Sequence, residues 1–238
     1  MTDATDDLLT LQVWLSPAFP VGGFTYSHGL EWAIEAGDVT SAVTLEAWLA
    51  DVLVHGAGRS DAIFLARAHA ATTTGDLDRL AEVIELAAAF QPSKERRLEA
   101  TAQGAAFVRA VADTWDDGRF ADLLARLAPH FAKPVHDAVP WTHAVAVGVA
   151  AGVAGIAIEA ALPAYGQAFA ANVISAGVRA VPLGQSDGLR VLRRLSPVVR
   201  RIAAEAATAK LDDVGGAAIL ADIASMKHET QYTRLFRS

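Results

Sequence analysis

Apolar residues along the 238-residue chain recur mainly at spacings of three and four. One such stripe contains Leu45, Trp48, Leu49 and Val52 and stops near Gly56. This spacing places apolar side chains on one face of an α-helix, and no stretch alternates convincingly with the period of two that a half-buried β-strand requires. The pattern therefore predicts an all-α protein, a single-domain bundle of about nine to eleven helices over residues 1–238.

Capping and turn residues give approximate bounds for these helices. Ser60 is a candidate N-cap, and the Ser196–Pro197 pair predicts either a fresh helix or a kink. Pro182 and Gly184 separate two long segments. The longer predicted helices cover residues 93–115, 141–158, 162–181, 187–210 and 217–226.

Composition narrows the class of protein. Ala accounts for 51 residues and favours helices, while the net charge of -7 argues against a general nucleic-acid binder. The chain contains no Cys, which removes disulfides and thiolate metal sites and fits a reducing, cytoplasmic setting. Residues 1–7 carry three Asp and no Lys or Arg, so we expect a flexible N-terminus rather than the start of a signal peptide.

The longest uncharged stretch raises the alternative of a membrane anchor at residues 138–158. It is long enough to cross a bilayer, but Ala, Gly and Val dominate it and its hydrophobicity is low. Gly148 and Gly152 are four positions apart, with Gly155 nearby, a spacing that lets two helix backbones approach closely. We therefore predict a buried helix within a soluble protein.

Motifs of the common enzyme classes are missing. None of the four Lys follows a Gly, which excludes the Walker A phosphate loop. His130, His136 and His143 could ligate a metal, but Pro residues interrupt the segment between them. We therefore predict no catalytic, cofactor-binding or metal-binding residue. A helical enzyme that uses His143 or a carboxylate pair in a central polar pocket remains the alternative.

Charged residues in two regions have an ordinary interpretation. Glu95 and Glu99 share a helix face among Lys94, Arg96 and Arg97, which predicts a solvated charged face. Five Arg residues between positions 190 and 201 form a basic stripe, either another solvated face or a surface for an acidic partner.

Three segments combine rigid turns with residue types common at interfaces. Residues 16–31 contain two Pro and two adjacent Gly, and residues 179–188 again combine Pro with Gly. Residues 227–238, which we call the tail, carry Tyr, Leu and Phe up to the last positions. Each segment could pack on its own domain or present a docking surface to a partner.

Together these segments resemble the UreF family of urease accessory proteins. The resemblance lies in four stretches, in order along nearly the whole chain: Ser16-Pro-x-x-Pro-x-Gly-Gly-Phe-x-Tyr-Ser-x-Gly-Leu-Glu31, Glu95-Arg96-Arg97 followed by Gly104, Arg179-x-Val-Pro-Leu-Gly-Gln-x-Asp-Gly188, and His228-Glu-Thr-Gln-Tyr-x-Arg-Leu-Phe-Arg-Ser238.

The resemblance implies a helical, non-enzymatic, homodimeric chaperone of the cytoplasm. It would bridge UreD, called UreH in some species, and the GTPase UreG, so that nickel is inserted into apo-urease, with no cofactor and with no nucleic-acid or membrane partner. The residues expected to face UreD are Tyr26, His28, Glu31, His228, Glu229, Tyr232, Arg234, Leu235, Phe236 and Arg237. Those expected to contact UreG are Gln167, Arg179 and Gln185.

Overall fold

The computed structural model describes residues 3–131 and 139–238. Within these ranges the chain forms eleven α-helices and no β-strand, which confirms the all-α prediction. The helices are α1 (Ala4–Trp14), α2 (Leu30–Glu35), α3 (Ala42–His55), α4 (Ala57–Thr74), α5 (Leu77–Ala89), α6 (Lys94–Thr114), α7 (Arg119–Leu127), α8 (His143–Ala154), α9 (Ile158–Ala180), α10 (Gln185–Thr208) and α11 (Ile219–His228).

Helix α8 lies at the centre of the bundle. Its residues 144–151 are all buried, and it packs against α4, α6 and α9. The close approach predicted from glycine spacing is confirmed at Gly148, where an added Cβ would lie 2.4 Å from the carbonyl oxygen of Leu65 on α4. Among the described residues, no helix combines the length and the apolar character needed to cross a membrane.

Several predicted bounds were wrong for local reasons. Helix α8 ends at Ala154 rather than near residue 158, because Gly155 adopts a left-handed conformation with φ of 76°. Ser60 is not an N-cap but lies inside α4, which begins after Gly56. Of the two outcomes predicted at Ser196–Pro197, the fresh helix is wrong, since α10 runs through Pro197, and the kink stays a prediction.

Residues 4–7, part of the segment expected to be flexible, form the first turn of α1. The side chain of Asp3 caps that turn by accepting a hydrogen bond from the amide of Thr5 at 3.0 Å.

Candidate interaction site around the tail

The three segments that combine turns with interface residues, 16–31, 179–188 and 227–238, meet around one guanidinium group. Arg179, at the end of α9, lies between two aromatic rings, 3.6 Å from the centroid of Phe24 and 4.5 Å from that of Phe236. Its Nη2 atom donates to the carbonyl of Phe24 at 2.8 Å. Because cation–π contacts at exposed sites stabilise by about 0.5–1 kcal/mol each, this Arg helps to hold the N-terminal turn and the tail together.

Glu31 on α2 holds the backbone of the tail. Its carboxylate accepts hydrogen bonds from the amide groups of Leu235 at 2.6 Å and Phe236 at 3.0 Å. The residue is buried, so these amide donors replace the water that a surface carboxylate would have.

His228 connects the end of α11 to two carboxylates. Its ring is fully buried, with Nε2 3.0 Å from Glu31 and Nδ1 2.6 Å from Glu95. An ionised carboxylate can only accept, so both nitrogens donate only when the ring carries two protons. Glu95 also pairs with Arg234 at 2.6 Å, and one carboxylate thus engages two residues of the tail.

Glu99 on α6 is the most enclosed carboxylate of the site. It accepts from Arg96, from the Ser238 hydroxyl and from Gln103 at 3.2 Å, and the Nε2 atom of His28 lies 3.3 Å from its carboxylate. Burial alone would raise the pKa of Glu99, but Arg96, His28 and the Ser238 hydroxyl favour its ionised form and hold the pKa below the ordinary value.

Backbone groups complete the attachment of the tail to the N-terminal turn. The amide of Ser27 donates to the carbonyl of Ser238 at 2.7 Å, and the amide of Arg237 donates to the carbonyl of Thr25 at 2.8 Å. Gly29 permits the close contact between this turn and α11, because an added Cβ would lie 2.7 Å from the amide nitrogen of Ser225.

Glu229 caps the helix that carries Glu95 and Glu99. Its carboxylate accepts from the amide of Lys94 at 2.9 Å, while the Ser93 side chain caps the same first turn through the amide of Arg96 at 3.1 Å. A carboxylate at this end of a helix also interacts favourably with the helix dipole. The role that the structure gives Glu229 is therefore intramolecular.

The tail has an inward and an outward side. Its inward side chains are His228, Phe236 and Ser238, and its outward side chains include Tyr232, Arg234, Leu235 and Arg237. Tyr232 is fully exposed and Leu235 is 75% exposed. Next to the tail, α11 also exposes Ile219, Leu220, Ile223 and Met226. The site thus combines an anchored inner side with an outer surface that presents apolar side chains and two Arg residues.

The remaining predicted residues have different positions. Tyr26 is buried beside the tail, whereas Gln185 is exposed at the start of α10. Gln167 lies twelve positions before Arg179 on α9, which corresponds to about 18 Å along the helix. The structure therefore brings Arg179 to the tail and leaves Gln167 apart from it, and their contact with UreG stays a prediction.

The interpretation of Glu95 and Glu99 as a solvated charged face was wrong. Glu99 and Arg96 are 0% and 4% exposed. The sequence did indicate that these two residues face inward. The buried residues of α6 run from Arg96 and Glu99 through Gln103 to Phe107 at spacings of three and four. This face was assigned to solvent because its first two residues, Arg96 and Glu99, are charged.

The basic stripe on α10 is partly neutralised within the chain. Three of its five guanidinium groups form ion pairs, namely Arg190 with Asp187, Arg194 with Glu46 and Arg201 with Glu205. Such exposed pairs contribute little to stability. The ordinary interpretation as a solvated face accounts for these three residues.

A central cavity of about 170 Å³ lies beside the tail. His143 lines it, as do Asp61 and Tyr165, whose hydroxyl donates to the Asp61 carboxylate at 3.3 Å. A pocket that contains His143 is therefore present, as the alternative enzyme hypothesis required, but its lining is mostly apolar and the Nε2 atom of His143 has no hydrogen-bond partner within the described residues. Residues 3–131 and 139–238 also contain no group of three or more His, Asp or Glu placed to hold a metal. His136 lies outside these ranges.

We expect the free energy of unfolding to decrease as the pH is lowered from 7 to 4. Burial lowers the pKa of His28 to about 3 and that of His143 to about 4, from 6.5. The unfolded chain binds these two protons first, so stability is lost in this range. Burial raises the pKa of Asp61 to about 6, so this residue increases the free energy of unfolding as the pH falls from 6 to 4. The loss that the two His residues cause is larger than this gain from one Asp.

Urea denaturation at each pH unit measures this dependence. His143→Gln should flatten it, whereas the same change at His55, an exposed residue of α3, should not. If the free energy of unfolding of His143→Gln depends on pH as steeply as that of the parent, the lowered pKa assigned to His143 is wrong.

Comparison with known proteins agrees with this arrangement of motifs. The UreF family model matches residues 39–196. A urease accessory protein UreF of Bradyrhizobium sp. (strain BTAi1) is 51% identical over 97% of this chain and 92% of its own length. UreF proteins of Rhodopseudomonas palustris (strain BisA53) and Azorhizobium caulinodans are 47% and 46% identical, and each alignment covers 100% of this chain and 100% or 98% of the relative. The chain therefore belongs to the UreF family of urease accessory proteins.

Proposed function

We propose that this chain is a non-enzymatic chaperone of urease maturation that bridges UreD, or UreH, and the GTPase UreG. The family name describes an accessory protein of urease, which supports a role beside the enzyme rather than catalysis. Nickel would pass through the assembled complex on its way to apo-urease, and the chain would act in the cytoplasm as a homodimer.

The observation that carries this proposal is the two-sided tail. Its inward residues are fixed by carboxylates of α2 and α6, while Tyr232 and Leu235 project outward. An aromatic and an aliphatic side chain held in place lose less entropy on binding than the same residues on a disordered segment. UreD would bind this outer surface, together with the exposed apolar side of α11.

UreG would bind elsewhere, near the exposed start of α10 at Gln185. Arg179 would contribute indirectly, because its guanidinium group is already occupied by Phe24 and Phe236. Its loss would displace the tail and so weaken UreD binding more than UreG binding.

Co-purification with UreD and UreG tests the proposal. The full chain should capture both partners, and deletion of residues 230–238 should abolish UreD capture. The double variant Tyr232→Ala/Leu235→Ala should weaken UreD binding at least tenfold with little change in melting temperature, because both side chains are exposed.

Val43→Ala is the matched control, since Val43 is 74% exposed on α3 and distant in sequence from the three segments. It should leave both interactions unchanged. If the full chain captures neither partner, or if the double variant binds UreD as tightly as the parent, the proposed role of the tail is wrong.

A further inference from the structure

The exposed side of α10 carries two lines of residues that differ in how their charges are compensated. One line holds the three Arg residues that form ion pairs, Arg190, Arg194 and Arg201. The other, which we call the outer line, consists of six exposed residues at spacings of three and four: Gln185, Leu189, Arg193, Pro197, Arg200 and Ala204. Because such spacings follow one face of a helix, the outer line is a continuous strip about 28 Å long.

The positive charges of the outer line have no partner within residues 3–131 and 139–238. There the side chains of Arg193 and Arg200 make neither an ion pair nor a hydrogen bond, and the line itself contains no Asp or Glu. The whole chain has a net charge of -7, so this local excess of positive charge does not follow from composition. The two Arg residues are seven positions apart, which places their Cα atoms about 10 Å apart on one face.

Two neighbours of Arg193 add features other than charge. Leu189, one turn before it, is 67% exposed. Pro197, one turn after it, has no backbone N–H, so the carbonyl oxygen of Arg193 lacks its ordinary donor within the helix. The outer line thus presents an apolar side chain, two charged donors and a backbone acceptor along one strip.

The opposite face of α10 fixes the position of this strip. Val191, Leu195 and Val199 are buried in the core, so the backbone that carries the outer line is held by packing on both sides of Pro197. Residues on a fixed backbone lose less entropy on binding than residues on a mobile segment. The guanidinium group is also suited to protein partners, because its planar set of donors binds a carboxylate through two hydrogen bonds.

Neighbouring carboxylates favour a protein over a nucleic acid as the partner. Asp187, Glu205 and Glu46 lie along the adjacent line of paired Arg residues. They would repel the continuous negative charge of a phosphate backbone, whereas single carboxylates of a protein can reach Arg193 and Arg200 individually.

We propose that the outer line of α10 is the docking surface for an acidic protein surface. Carboxylates of the partner pair with Arg193 and Arg200, and an apolar group of the partner covers Leu189. This inference rests on the proposed function, in which UreG binds near Gln185, the first residue of the outer line. It names the chemistry by which UreG is recognised.

Binding of purified UreG to the full chain, followed by biolayer interferometry, tests this surface. The double variant Arg193→Gln/Arg200→Gln should weaken UreG binding at least tenfold at about 0.05 M NaCl. The difference from the parent should shrink at about 0.5 M NaCl, because salt screens exposed charges. The melting temperature should change little, since Gln and Arg have similar helix propensities.

The matched control is Arg190→Gln/Arg201→Gln, which removes the same number of charges from the same helix. Both of these Arg residues already pair within the chain, with Asp187 and Glu205. The control should therefore bind UreG within about twofold of the parent. Capture of UreD should be unchanged in both double variants, because the tail is not altered.

The outcomes separate this inference from the proposed function. If the parent binds no UreG, both are wrong. If the parent binds UreG and Arg193→Gln/Arg200→Gln binds it equally tightly, only the docking surface is wrong. Equal weakening in the control would show a general effect of charge and would also overturn the inference.

Two further measurements test other occupants of the outer line. Light scattering that shows a loss of self-association in Arg193→Gln/Arg200→Gln, with UreG binding unchanged, would assign the line to a second copy of the chain. Binding of a labelled RNA by the parent and not by this variant, again with UreG binding unchanged, would assign it to nucleic acid. Either result would overturn the inference.

Discussion

Replacing Glu99 by Gln should lower the free energy of unfolding by about 3–5 kcal/mol. The substitution keeps the side-chain shape but removes the charge that faces Arg96, which is 4% exposed. A buried guanidinium group without its counter-charge retains its desolvation cost and loses the compensating attraction. Urea denaturation at pH 7, followed by circular dichroism, measures the loss.

Two controls separate this effect from a general sensitivity to charge. Glu82→Gln removes an exposed partner of Arg79 and should cost less than about 1 kcal/mol. The double change Arg96→Met/Glu99→Leu removes both buried charges and should cost less than Glu99→Gln alone. A Glu99→Gln protein as stable as the parent would show that Arg96 is solvated.

Gly148→Ala should also be strongly destabilising, by about 3 kcal/mol. In an exposed helix the same change would stabilise by about 0.5–1 kcal/mol, because Ala loses less backbone entropy than Gly. Here the added Cβ would lie 2.4 Å from the carbonyl oxygen of Leu65, a backbone atom that cannot rotate away. Helices α4 and α8 would have to separate at the centre of the core.

Gly152→Ala is the internal comparison on the same helix. Its Cβ would lie 3.0 Å from Cβ and Cγ2 of Thr72 and 3.2 Å from the His69 carbonyl oxygen, so α4 would have to shift by only a few tenths of an ångström, less than the 2.4 Å approach at Gly148 requires. We expect thermal denaturation to show a much smaller loss for this variant. Equal losses at the two positions would mean that helix packing does not determine the cost.

The sequence predicted the helices well but did not predict how the site is assembled. Periodic apolar stripes identified α6, α9 and α10 to within a few residues, because helix amphipathicity is a local property. The site depends on pairs that lie far apart in the chain, such as Glu31 with Leu235 and Glu99 with Ser238. Local patterns contain no information about such pairs.

Burial was hardest to predict from the sequence for polar residues. Arg96 and Glu99 have the composition of a solvent-facing helix, and only their mutual neutralisation permits burial. Nothing in the sequence indicated that Thr142, at the N-cap position of α8, is buried. Its surroundings come from helices that lie far apart in the chain.

The bond between Ser27 and Ser238 spans 211 positions, and this separation has a consequence for the order of folding. Closing so long a loop costs entropy before any contact compensates for it, whereas helix pairs such as α3 and α4 form over short distances. We therefore expect the tail to dock after the helical body has formed, outside the folding nucleus. Substitutions in its inner contacts should then accelerate unfolding and leave the rate of folding nearly unchanged.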